Sequence, residues 1–236
     1  RTIPQSTIIL DRTGTKILFE LHGQEQRTQL ALDAIAPTAK WATIAVEDRN
    51  FYAHKGFRLR SFVRALLVNT FRGGRVQGGS TITQQLIKNA ILSPEKTYRR
   101  KVKELLLAER LEQRFSKDEI LTMYFNEIPY GSTAYGIEAA SRMVLGKSAR
   151  ELDLAESAFL ASIPKAPTYY SPYGSHREEL VQRTRFVLAQ MAEQGYVTKA
   201  EADAADNSFD QSPGSTFDEE NPRHGRRPFG EKVPHV

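Results

Sequence analysis

The sequence predicts a mainly α-helical domain entered through a short β-hairpin, and three observations carry that expectation. Apolar and polar residues alternate along residues 7–10 and again along 16–21, with Asp11-Arg12-Thr13-Gly14 between them as turn chemistry. Beyond Pro37 the spacing changes: Leu59, Phe62, Val63, Leu66 and Leu67 recur at the i, i+3, i+4 intervals of a helix face. Residues 97–115, TYRRKVKELLLAERLEQRF, then run without a Gly or Pro.

Composition bounds the rest. A chain of 236 residues can form one large domain or two small ones, and 40% apolar with 26% charged residues is ordinary for a globular protein. No apolar run approaches the roughly 18 residues of a membrane span. The chain opens at Arg1 with no signal-peptide pattern, so it reads as excised from something longer. It has no Cys, which excludes disulfides and thiolate chemistry. A net charge of +5 and a pI near 9.4 point to anionic partners: nucleic acid, anionic lipid or a phosphorylated substrate. Nucleic acid has only the charge in its favour, because no basic patch is interleaved with aromatics.

In order, residues 38–46 form a helix with Trp41, Ile44 and Ala45 on its apolar side. It delivers Glu47 and Asp48 into EDRNFYAHKGF, residues 47–57. A carboxylate near a helix C-terminus, set between Val46 and Phe51, should bind a proton more readily than an exposed one, which suits a general base working near neutral pH. The stretch alone also reads as a solvated helix end with an aromatic plug. Residues 57–75 carry their apolar stripe between Arg60 and Arg64, with Arg58, Arg72 and Arg75 at its ends. That suits a helix lying in a membrane interface, or equally a core helix with its arginines in water.

In QGGSTITQQLIKN, residues 77–89, two glycines make a loop and Ser80 is a candidate N-cap. Thr81, Gln84, Gln85 and Lys88 make a polar strip fit for sugar hydroxyls or phosphate, or merely the face of a capped surface helix. The helix over 97–115 has apolar residues all round its axis, which predicts burial. Arg100 and Glu104, one turn apart, are then either a cleft wall or an i,i+4 pair. Further helices follow at 120–126, 134–145 and 152–163, then a loop with Tyr169, Tyr170 and Tyr173. A two-helix unit spans 176–205, and a Pro/Ser/Gly-rich linker runs from Asp206.

Taken together these motifs resemble the peptidoglycan glycosyltransferases, the family 51 transglycosylases. EDRNFYAHKGF is similar to that family's first motif, GGSTITQQLIKN to its second and RRKVKELLLAERLE to its third. ILTMYFNEIPYGSTAYGIEAAS and LDLAESAFLASIPKAPTYYSP resemble the fourth and fifth. All five stand in family order across residues 47–173. One departure is Met143-Val144-Leu145, where the family usually has an aromatic pair before Gly-Lys.

The resemblance implies a lysozyme-like, two-lobed helical domain over 31–205, with residues 1–30 as lead-in hairpin and 57–75 as a membrane-facing jaw. The implied substrate is lipid II, polymerised with inversion at MurNAc C1 and release of polyprenyl pyrophosphate. Glu47 would be the general base. Lys88, Lys96, Arg100 and Lys103 would hold the pyrophosphate, and Glu104 would orient those cations or a metal. Thr81, Gln84, Gln85 and Asn89 would hold donor sugar and phosphate. Asp48, Phe51 and His54 would position Glu47, with Ser80 and Asn126 in support. No cofactor is required, though a divalent ion, Mg or Mn, has a place at the pyrophosphate. The implied partners are lipid II, the growing lipid-linked glycan and the membrane surface, on the outer face of the cytoplasmic membrane behind an N-terminal transmembrane helix. Residues 206–236, closing on Pro234-His235-Val236, are expected to lead into a transpeptidase domain.

Two rivals remain. A lysozyme-type hydrolase would also use Glu47 and Glu104, but leaves the basic cluster idle. A non-catalytic module binding lipid or glycan would use the cations but not Glu47.

Overall fold

The computed structural model describes residues 7–10, 17–21, 26–27, 29–56, 80–92, 97–131 and 133–211. Strands β1 (Thr7–Leu10) and β2 (Ile17–Leu21) pair antiparallel with Thr7 opposite Leu21, which is the expected hairpin. A two-residue strand β3 (Gln26–Arg27) pairs in parallel with β4 (Ala134–Tyr135). Among the described residues eight α-helices follow, so the fold is mainly α as expected. They are α1 (Pro37–Glu47), α2 (Ile82–Ala90), α3 (Tyr98–Arg114), α4 (Lys117–Glu127), α5 (Ile137–Leu145), α6 (Leu154–Ser162), α7 (Arg177–Glu193) and α8 (Lys199–Gln211).

Local chemistry sets the boundaries. Pro37 opens α1, where its missing N–H costs nothing. Reciprocal capping boxes start α2 (Thr81 with Gln84), α4 (Ser116 with Glu119) and α6 (Asp153 with Glu156). Gly136 precedes α5 at φ +84°, and a Cβ there would stand 2.9 Å from the Asn126 carbonyl oxygen, so only glycine fits.

Helix α1 packs against α6 and α7, and α7 also covers α8; α2 packs against α3 and α4. One continuous core joins these groups through Ile44, Phe51, Ile82, Tyr124, Phe125, Phe159 and Leu160, all almost fully buried. Each such side chain contributes about 1.5–3 kcal/mol by leaving water. Asn126 ties the lead-in to this core. Its Nδ2 donates to Leu30 O at 2.9 Å, and its Oδ1 accepts from Leu30 N–H at 2.8 Å.

Several expectations are corrected. Helix α3 is not buried all round: Val102 and Leu106 are 51% and 55% exposed. At 100° per residue they share an outward arc with Arg99 and Arg110, while Glu104 and Ala108 turn inward. Ala134 lies in β4 rather than in a helix, because Gly136 interrupts the run. Trp41 is one-third exposed and stacks on Tyr196 at 5.0 Å instead of entering the core. Helix α8 continues to Gln211, past Asp206, anchored by buried Ala202 and Ala205. The expected jaw at 57–75 and the linker beyond Gln211 lie outside the described residues.

Candidate active site

Glu47 is the last residue of α1, and its carboxylate is held from two other helices. Gln85 of α2 donates through Nε2 to Glu47 Oε2 at 2.8 Å. Arg183 of α7 donates through Nη2 to Glu47 Oε1 at 3.1 Å. Both ends of that ion pair are nine-tenths buried, and Arg183 is itself fixed: its Nε donates to Ser162 O at 2.9 Å and its guanidinium lies 5.5 Å from the Tyr170 ring centre. A buried charge so tethered keeps one geometry.

Two buried phenols complete the surroundings. Tyr124 donates to Gln85 Oε1 at 3.4 Å. Burial first, then the Glu47 charge, pushes the Tyr124 and Tyr130 hydroxyls above the ordinary phenol range, so both stay neutral. Lys165 feels the same site. Partial loss of water and repulsion from Arg183 push its ammonium down, while Glu47 opposes that.

The turn after Glu47 is pinned to the start of α2. Asp48, buried, accepts at Oδ2 from the Ile82 N–H at 3.1 Å and from His54 Nε2 at 2.7 Å. The His54 Nδ1 atom accepts from the Gly56 N–H at 3.1 Å, so its Nε2 carries the proton given to Asp48. Thr81 closes the loop by donating to Gly56 O at 2.6 Å. Glu47 and the turn that follows it are thereby tied to the start of α2.

The second acidic position is built differently from expectation. Glu104 is buried and pairs with Lys101, three residues before it, not with Arg100. Lys101 Nζ also donates to Ser80 Oγ at 3.0 Å, bridging α3 to the loop before α2. The Arg100 Nε is buried without a hydrogen-bond partner among the described residues, leaving a donor for an incoming anion.

Of the expected site residues, the structure brings Glu47 to Gln85, Asp48 to His54, and Ser80 to Glu104 through Lys101. Thr81 and Gln84 do not form a ligand strip, because both are buried and engaged with each other in the cap of α2. Thr81, not Ser80, is the N-cap. Lys88 and Asn89 remain exposed at the end of α2, with Asn89 Nδ2 donating to Gln85 O at 2.8 Å. Phe51 is core, under the Lys117 ammonium at 4.6 Å from its ring centre. Lys103 is exposed on the outward face of α3, away from Glu104, and Asn126 serves the lead-in. Lys96 lies outside the described residues. The sequence reading missed Lys101, Arg183, Lys165 and Tyr124. Lys101 had a local signal in its i,i+3 spacing to Glu104, and Tyr124 and Lys165 lay inside the fourth and fifth motifs.

A buried carboxylate fixed by an amide and a guanidinium, with a buried acid–lysine pair on a neighbouring helix, has the groups to take a proton beside an anion. The model of the transglycosylase family matches residues 14–192, and the chain belongs to that family. It is 45% identical over 207 residues to penicillin-binding protein 1A of Aquifex aeolicus, covering 87% of this chain and 28% of that protein. It is 44% identical over 201 residues to penicillin-binding protein 2D of Bacillus subtilis, covering 85% and 29%. Penicillin-binding protein 1A of Escherichia coli is 44% identical over 186 residues, covering 79% and 22%. A crystal structure of penicillin-binding protein 1A from Haemophilus influenzae is similar over 86% of this chain and 20% of that one, with TM-score 0.48 and 24% identity. The chain therefore spans less than a third of the length of these relatives.

Proposed function

We propose that this chain is a peptidoglycan glycosyltransferase that polymerises lipid II. The 4-hydroxyl of an acceptor GlcNAc attacks C1 of the lipid-linked MurNAc. As the new C1–O4 bond forms, the C1–O bond to phosphate breaks, its electron pair leaves with polyprenyl pyrophosphate, and C1 inverts. The hydroxyl proton passes to a Glu47 carboxylate oxygen.

The observation that carries the reading is the Glu47 carboxylate, tethered by Gln85 and Arg183 at the meeting of α1, α2 and α7. A base must be within hydrogen-bond reach of the proton and rigidly aimed, and two tethers from separate helices supply the aim. Pyrophosphate is a good leaving group that needs cations more than a proton. Lys101 and the orphaned Nε of Arg100 offer them on α3, with Lys88 and Lys96 nearby in sequence. Glu104 holds the Lys101 ammonium in place and is not itself an acid in this scheme. A divalent ion there would draw its ligands from phosphate and water. Among the described residues no group of three His, Cys, Asp or Glu side chains is placed to hold a metal ion.

The same reading places the enzyme at the outer face of the cytoplasmic membrane and, in its parent protein, ahead of a transpeptidase domain. The names and greater lengths of the relatives support that placement. Among the described residues no helix is long and apolar enough to cross a membrane. Labelled lipid II in detergent tests the activity. A ladder of polymers digestible by lysozyme is expected; unchanged lipid II, or free disaccharide from a hydrolase, would overturn it.

A further inference from the structure

Tyr130 carries a buried hydroxyl, within the field of Glu47, that takes no part in the glycosyl transfer step. The residue is 2% exposed, and its Oη is buried with no hydrogen-bond partner among the described residues. It sits in the tight turn after α4, where its N–H donates to Ala134 O at 2.9 Å. The next residue, Gly131, takes φ +94°, and a Cβ there would stand 2.9 Å from Pro167 O. That turn is therefore packed against the loop after α6. The same loop sets the Tyr170 ring under Arg183, which holds Glu47. Burial first, then the Glu47 charge, keeps the Tyr130 phenol neutral, so it retains its proton as a donor.

We propose that Tyr130 is a positioning residue for Glu47, its hydroxyl holding one internal water that donates to the carboxylate. This role rests on the reading of Glu47 as the base. A buried hydroxyl costs free energy unless it is hydrogen-bonded, which disfavours an idle one. A direct bond to Glu47 is excluded, because Oη has no partner within hydrogen-bond distance. A substrate hydroxyl does not reach it, because the atom is closed to solvent. One water bridges such a gap when it finds at least two polar partners. Each Glu47 oxygen has lone pairs beyond those taken by Gln85 and Arg183. The other groups around Glu47 that carry or can carry charge are Asp48 next in the chain, Tyr124 on α4, Arg183 on α7 and Lys165 after α6. Tyr124 and Arg183 already donate to Gln85 and to Glu47 itself, whereas the Tyr130 proton is uncommitted among the described residues. A donor delivered through water favours the ionised carboxylate, the form that takes the sugar hydroxyl's proton.

Tyr130→Phe deletes one oxygen and keeps the ring. Urea unfolding of the full 236-residue chain reads the bridge without lipid II, so this proposal and the polymerisation reading fail separately. In the parent chain Tyr130→Phe should lower the folding equilibrium constant by about fivefold. In a Glu47→Gln background the water meets a neutral amide, and the loss should shrink to about twofold or less. Lipid II turnover in detergent gives the second reading. The acid limb of its pH profile should move up by about half a pH unit in Tyr130→Phe, since the ionised carboxylate has lost a donor. A tyrosine that only fills space moves no limb. Three results would each overturn the proposal: a Tyr130→Phe chain as stable as the parent or more so, an equal loss in both backgrounds, or an unmoved acid limb.

Discussion

Arg183 and Glu47 stand 136 residues apart in sequence and 3.1 Å apart in the fold, each nine-tenths buried. The pair joins α7 to the last residue of α1, and everything proposed for Glu47 depends on it. Removing one partner of a buried pair leaves an uncompensated charge, at a cost of about 3–5 kcal/mol. Arg183→Met should therefore destabilise the domain by that amount in urea unfolding. Adding Glu47→Gln should recover most of the loss, because no charge is then stranded. An Arg183→Met chain as stable as the parent would show that the pair is not formed in solution.

Lys101 and Glu104 make the corresponding test on α3. Glu104 is buried while Lys101 is about one-third exposed, so the two ends are unequal. Lys101→Met should cost about 1–3 kcal/mol, more than Glu104→Gln, since only the first strands a buried carboxylate. Equal losses in thermal unfolding would contradict that asymmetry.

The cap of α2 holds the loop that follows Glu47. Thr81→Ala removes both the cap and the bond to Gly56 O, and should cost about 1–2 kcal/mol. Gly56→Ala should cost more: φ is +83° and the new Cβ would stand 2.9 Å from the Ala108 carbonyl oxygen. Denaturant midpoints check the order.

Tyr52 gives a pH signature. Burial, and then its hydrogen bond to Asp118 at 2.9 Å, push its phenol up to about 12. The folded value lies above the unfolded one near 10, so the folded state binds this proton more tightly. The stabilisation is complete below pH 10 and is lost as pH rises through 12. Ultraviolet titrations of the parent and the Tyr52→Phe chain should differ by one tyrosinate step near 12. A Tyr52 step at the ordinary value would contradict the Asp118 contact.

How much of this was legible in the sequence follows from distance along the chain. The hairpin and the helices were written in local periodicity, and Glu47, Gln85 and Asp48 fell inside short motifs. Arg183 was not legible: it is one of several arginines on α7, and only the packing of α7 on α1 selects it. Lys101 sat among four neighbouring cations, where spacing to Glu104 permits Arg100 or Lys101 and burial decides. Thr81 and Gln84 were polar residues at helical spacing, a pattern that serves a capping box as well as a sugar site. The apolar count of α3 suggested burial, but counting leucines ignores which arc each occupies.

Replacing Glu47 by Gln tests the account most directly, since it keeps size and the contact with Gln85 while removing the base. Lipid II polymerisation by Glu47→Gln is expected to fall by roughly 10²–10⁴ or more, with lipid II still bound and the fold still cooperative. Near-parental turnover by a folded Glu47→Gln chain would contradict the mechanism.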